Sequence, residues 1–135
     1  MNLLVLPVAL PLLAAFVLPV LARVSESFAR VLGPLIMAAC LGIAAGLADG
    51  EPFAVAVGGF KPPFGITFYA DGLALLFTGL VAVMTLALWP YRGEFRPREQ
   101  SLTLILAAAA AGLALSGDLF NIYVFYELVS VASFG

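Results

Sequence analysis

The chain has 135 residues, of which 64% are hydrophobic and 10% are charged, and its mean hydropathy is +1.14. Soluble domains are about 45–50% apolar and about 25% charged, so these values predict an integral membrane protein. The net charge of −2, without a basic cluster, excludes nucleic acid as a partner, and the absence of histidine excludes imidazole metal sites and imidazole acid–base chemistry within this sequence.

Five apolar runs follow one another, and most are long enough to cross a bilayer core of about 30 Å at about 1.5 Å per residue. They predict an all-α integral membrane protein with a single membrane domain over residues 1–135 and helices at about 2–22, 31–48, 72–90, 101–116 and 119–135. A signal peptide is the competing interpretation of the first run. It is disfavoured because no basic segment precedes the run and no small-residue cleavage site follows it.

The longest connection, residues 49–70, separates the second and third runs. Two stretches rich in β-branched and aromatic residues, 53–57 and 65–69, flank a segment that contains Gly58-Gly59, Lys61 and Pro62-Pro63. This pattern slightly favours a β-hairpin at the membrane surface over an irregular re-entrant loop.

Acidic residues precede the third and fifth runs. Asp71 and Asp118 are expected to be helix N-caps, because a carboxylate there accepts N–H groups and favours the positive end of the helix dipole. For Asp71, a direct role in transport is the alternative. The alanine-rich fourth run predicts a central, closely packed helix, since small side chains let membrane helices approach.

Basic residues predict the orientation. Five arginines lie in the loops after the first and third runs, whereas only Lys61 lies in the loop after the second. The positive-inside rule then places the first and third loops in the cytoplasm. We expect a multi-pass protein of the cytoplasmic membrane whose N-terminus and 49–70 connection are extracytoplasmic.

One carboxylate, Glu127, lies well inside an apolar run. An intramembrane carboxylate costs roughly 2.5–3.5 kcal/mol on insertion scales, and such residues usually line ion paths or pair with a buried cation. Helical spacing places Tyr123 and Ser130 on adjoining parts of the same face, where their hydroxyls are candidate neighbours on a proton path. A structural glutamate that bonds a neighbouring helix is the alternative.

Two segments resemble the proton-translocating antiporter-like membrane proteins, the family of the A-type and D-type components of Mrp Na+/H+ antiporters and of the membrane subunits of NADH–quinone oxidoreductase and membrane-bound hydrogenases. The matching pieces are Tyr69-Ala70-Asp71-Gly72-Leu73, and Gly117-Asp118-Leu119-Phe120 leading to Phe125-Tyr126-Glu127-Leu128. Residues 60–66 look more like the Mrp D-type and hydrogenase branch. The likeness covers essentially the whole chain and corresponds to the N-terminal part of the family's members.

The resemblance implies that Glu127 pairs with a lysine on a later helix and that the pair switches as protons cross. This sequence contains no intramembrane lysine, so a partner segment or another membrane protein of the complex would supply it. The expected function is a proton-translocating subunit, with Na+/H+ antiport as a variant, within a multi-subunit complex. The chain is not expected to be an enzyme or to hold a cofactor, although its complex can be redox-driven. The alternative is a structural or assembly subunit.

Overall fold

The computed structural model describes residues 3–60 and 65–135. A short 3-10 turn at Leu3–Val5 leads into α1 (Leu6–Val24), and α2 (Glu26–Leu47) follows directly. Strands β1 (Phe53–Val57) and β2 (Ile66–Ala70) come next, and then α3 (Gly72–Leu88), α4 (Pro97–Ala114) and α5 (Leu119–Phe134). The structure is therefore mostly helical, as the sequence predicts.

Two helices begin earlier than their apolar runs predict. Helix α2 begins at Glu26 rather than at residue 31, and α4 begins at Pro97 rather than at residue 101. Apolarity locates the part of a helix that is buried or in lipid, but these first turns are polar. Glu26 favours a helix N-terminus and pairs with Arg30 at 2.7 Å, and proline suits the first position of a helix.

Two of the helices, over Leu3–Val24 and Glu26–Leu47, are long and apolar enough to cross a membrane. Gly72–Leu88 and Leu119–Phe134 are shorter apolar helices, and α4 carries a polar first turn. Five membrane crossings therefore remain a prediction.

Proline in α1 is accommodated by a neighbouring helix. Pro11 lies inside α1 and has no N–H, which frees the carbonyl of Pro7 four residues earlier. The thiol of Cys40 in α2 approaches that carbonyl, with Sγ 4.0 Å from the oxygen. Cys40 is 2% exposed, so it is both a small packing residue and a contact between α1 and α2.

Helix α4 lies at the centre of the bundle, as its alanine content predicts. It packs against α1, α3 and α5, and most of the alanines from 107 to 111 are buried. Gly112 allows a close approach to α5: a Cβ built there would lie 2.3 Å from Cε1 of Phe125. The absence of a side chain at Gly112 therefore determines how closely α4 and α5 pack.

The 49–70 connection forms the hairpin. β1 and β2 pair antiparallel, with Phe53 opposite Ala70 and Val57 opposite Ile66. Lys61, Pro62 and Pro63 lie outside the described residues. β2 also bonds to the connection between α4 and α5: the N–H of Tyr69 donates to the carbonyl of Leu115 at 2.7 Å, and the N–H of Gly117 donates to that of Thr67 at 2.8 Å.

At the other end, α2 is joined to the connection after α3. Arg30 donates hydrogen bonds to the carbonyls of Tyr91 and Gly93, and its guanidinium lies 5.4 Å from the ring centre of Phe95. The indole N–H of Trp89 donates to the carbonyl of Arg30 at 3.2 Å. Trp89 is only 3% exposed, with its ring against Gly33, so it is a core residue rather than a lipid-facing anchor.

Candidate functional site

The site lies on α5, and the N-cap residue of this helix accepts hydrogen bonds from two different elements. Asp118 is the N-cap residue, and its Oδ1 accepts the N–H of Asn121 at 2.7 Å. Its Oδ2 accepts the N–H of Thr67 in β2 at 2.8 Å. One carboxylate therefore caps the N-terminus of α5 and also connects this helix to the hairpin. Asp71 caps α3 more simply, since its Oδ1 accepts the N–H of Ala74 at 2.7 Å.

Glu127 lies in the middle of α5, eight residues after Leu119. At 1.5 Å per residue this is roughly 12 Å from the start of the helix. The buried side of α5, which carries Asn121, Phe125 and Ala132, packs against the rest of the protein. Glu127 is exposed on the other side. In residues 3–60 and 65–135, no arginine forms an ion pair with it.

The two predicted neighbours of Glu127 are not hydrogen-bonded to it. Tyr123 is 63% exposed on the same outward side. Ser130 is half-buried, and its hydroxyl donates to the carbonyl of Tyr126, one turn earlier, at 3.0 Å. Within the described part of the chain, Tyr123, Glu127 and Ser130 therefore share one region of the surface without forming a connected network.

Two buried polar residues near the cap were not singled out by the sequence reasoning. Asn121 is 1% exposed and its amide nitrogen has no partner, and the hydroxyl of Thr67 is likewise unpaired. Asn121 lies three residues after the N-cap, at a position whose polar side chains often bond back to the cap. This spacing is the sequence signal that could have identified Asn121 as a polar residue of the site. Thr67 lies in a strand and gives no such signal.

Packing between aromatic rings fixes the rotation of α5. Phe125 is 9% exposed, and its ring centre lies 6.0 Å from that of Phe68 in β2. Atoms Cδ1, Cε1 and Cζ of the same ring lie against Gly112 of α4. With Phe125 held between α4 and the hairpin, Glu127 two residues later is directed outward.

The chemistry available at this site is that of a single carboxylate. Glu127 is the acid farthest from any polar flank, and a carboxyl group can bind and release one proton. In the described residues, no three His, Cys, Asp or Glu side chains come together as metal ligands. The surface around Glu127 is apolar and aromatic, with Tyr126 59% exposed and Val131 69% exposed.

Comparisons with known proteins show what this chain is similar to. No protein-family model matches the chain. The chain is 37% identical over 145 residues to NADH-quinone oxidoreductase subunit N of Desulforudis audaxviator, and 32% identical over 150 residues to the D-type component of the Na+/H+ antiporter of Bacillus subtilis. The matches cover 96% and 98% of this chain, but only 28% and 29% of the relatives.

A solved structure shows the same relationship in three dimensions. A chain of the membrane-bound sulfane sulfur reductase, an archaeal respiratory membrane complex, superposes with a TM-score of 0.84 at 29% identity. The match covers 97% of this chain and 29% of that one. By sequence and by fold, the chain is thus similar to membrane subunits of respiratory and antiporter complexes, and it spans somewhat more than a quarter of their length.

Proposed function

We propose that the chain is part of a proton-translocating membrane subunit and that Glu127 takes up and releases the proton. The observation that carries the proposal is the position of Glu127, which lies mid-helix, away from the helices of its own bundle and without an ion-pair partner in the described residues. Relatives that are named as a subunit of a Na+/H+ antiporter and as a subunit of NADH-quinone oxidoreductase support this choice of function.

The proposed topology has five crossings, with the N-terminus and the hairpin outside a cytoplasmic membrane. Arg23, Arg30, Arg98 and the 89–96 connection stand at one end of the helices, and Arg30 bonds directly to that connection. The hairpin stands at the other end of α3. This separation of charge agrees with the positive-inside rule.

The outward direction of Glu127 implies a partner helix. A lone carboxylate facing lipid costs roughly 2.5–3.5 kcal/mol, whereas a facing lysine would stabilise the charged form. We propose that a further membrane segment, of the same polypeptide or of another, covers this side of α5 and supplies an intramembrane lysine. The proton would then move as the charge pair forms and separates.

Proton movement in vesicles that contain the assembled complex tests the proposal. Glu127→Gln keeps the shape of the side chain but removes the titratable proton, so transport should be abolished while assembly remains normal. Glu127→Asp keeps the proton and should retain partial activity. Glu51→Gln, at an exposed acid of the connection before β1, is the matched control and should be silent. Comparing Na+ with K+ in the outer medium shows whether a cation is exchanged.

The alternative is an assembly subunit, and the apolar surface of α5 favours it as the second candidate. Phe120, Tyr126 and Phe134 are 68%, 59% and 92% exposed, so this side of α5 suits a packing contact. In that case Glu127→Gln should leave transport intact, because neutral interhelical hydrogen bonds are worth only about 0.6 kcal/mol on average. Full transport in the Gln variant would therefore refute the proton-carrying role.

A further inference from the structure

A cavity opens between the end of α1 and the start of α4, far from Glu127. Its volume is about 620 Å3. Arg23 and Arg98 line its charged part, whereas Pro19 and Leu102 line its apolar part. The cavity therefore lies where the apolar helices meet their polar flank.

The two arginines of this cavity have no ion-pair partner among residues 3–60 and 65–135, unlike two other arginines nearby. Arg30 pairs with Glu26, and Arg96 pairs with Glu94 and Glu99. Among the residues that the structure describes, neither Arg23 nor Arg98 has an ion pair or a hydrogen bond through its side chain. Glu99, the carboxylate on α4, bonds to Arg96 at 2.9 Å rather than to Arg23 or Arg98.

A third group points to a ligand. Ser101 lines the same cavity and is 8% exposed, and its hydroxyl has no partner. A buried hydroxyl without a hydrogen bond is costly, so an acceptor or donor is expected there. The start of α4 adds first-turn N–H groups without intrahelical partners, which favour an anion.

We propose that this cavity binds the phosphate of an anionic phospholipid. Two guanidinium groups, a hydroxyl and a helix N-terminus form a donor set for a phosphate group. The apolar lining suits the start of an acyl chain, and Phe16, one turn deeper on the same side of α1, is 71% exposed. In the proposed topology this end faces the cytoplasmic leaflet, where anionic lipids concentrate and where basic pockets between helices hold headgroups.

Native mass spectrometry of the intact assembly, titrated with phosphatidylglycerol, measures this binding directly. Each arginine near a membrane surface contributes about fivefold in lipid affinity, so Arg23→Gln with Arg98→Gln should weaken binding about 25-fold. Arg92→Gln is the matched control, because Arg92 is exposed at the same end and does not line the cavity. A loss in Arg92→Gln as large as the loss in Arg98→Gln alone would overturn the proposal, and so would unchanged binding in the double variant.

Two further sets of measurements distinguish a lipid phosphate from free phosphate and test variants in case the double variant misfolds. Phosphatidylcholine should bind weakly, and inorganic phosphate should not displace phosphatidylglycerol; displacement by millimolar phosphate would assign the site to a free anion instead. If the double variant does not assemble, lipid binding is measured in the single variants Arg98→Gln and Ser101→Ala. Each should weaken binding several-fold. Wild-type binding in both would refute the lipid site. Lipid occupancy is read without proton transport, so either proposal can fail alone.

Discussion

Substitution of Gly112 by alanine tests the contact that orients α5. The added Cβ would lie 2.3 Å from Cε1 of Phe125 and 2.5 Å from Cδ1 and Cζ. Carbon atoms attract optimally at about 3.5–4.0 Å, so the ring or the helix has to move by more than about 1 Å. The ring is buried and packs on Phe68, which leaves displacement of α5 as the main relief.

The expected cost is about 1–3 kcal/mol, the range for overpacking a well-packed core. Gly46→Ala is the matched control: Gly46 lies in α2 with nothing within 4 Å of an added Cβ, so alanine should be neutral or stabilise by up to about 1 kcal/mol. Phe125→Leu should rescue Gly112→Ala, because the smaller side chain removes the clash.

The assay is thermal unfolding of the detergent-solubilised assembly. Unfolding is monitored through thiol labelling of Cys40, which is buried in α2. In Gly112→Ala, Cys40 should become exposed at a lower temperature than in the wild type. The double variant Gly112→Ala with Phe125→Leu should be more stable than the sum of the two single effects predicts. Equal melting of Gly112→Ala and Gly46→Ala would refute the proposed role of this contact.

Three further predictions follow from the caps and the topology. Asp118→Asn should lower the free energy of unfolding by about 1–3 kcal/mol, since an amide retains one acceptor oxygen for two N–H donors. Asp71→Asn should cost little, because Asp71 accepts a single N–H. Equal losses in the two variants would contradict this. Cysteines at Glu51 and Glu94 should react with impermeant reagents from opposite sides of the membrane, and same-side labelling would refute the topology. The chain expressed without partners should aggregate in mild detergent, and a monodisperse folded monomer would contradict the need for partners.

Labelling at Glu51 and Glu94 avoids a difficulty that only the structure reveals. Gly59 and Gly93 are the obvious loop positions in the sequence, but their φ angles are +78° and +91°. A side chain is strained in that region of backbone space, so cysteine there would perturb the turns being probed.

Local chemistry explains which features could be predicted from sequence. Asp71 and Asp118 are caps because a carboxylate before an apolar run has few other uses, and the hairpin follows from β-branched stretches around glycines. The early starts of α2 and α4 were missed, since hydropathy does not register polar helical turns. The outward direction of Glu127 was inaccessible because it depends on Phe125 meeting Gly112 and Phe68, which are distant in sequence.

The bonds between β2 and the connection before α5 have a mechanical consequence. They restrain the start of α5 relative to the hairpin, so any tilt of the helix pivots about Asp118. For a tilt of roughly 5°, Glu127 at about 12 Å from the pivot moves about 1 Å, and the far end of α5 at about 24 Å moves about 2 Å. Glu127, halfway along α5, can therefore approach or leave the cation proposed to face it by about 1 Å while the hairpin end of the bundle stays still.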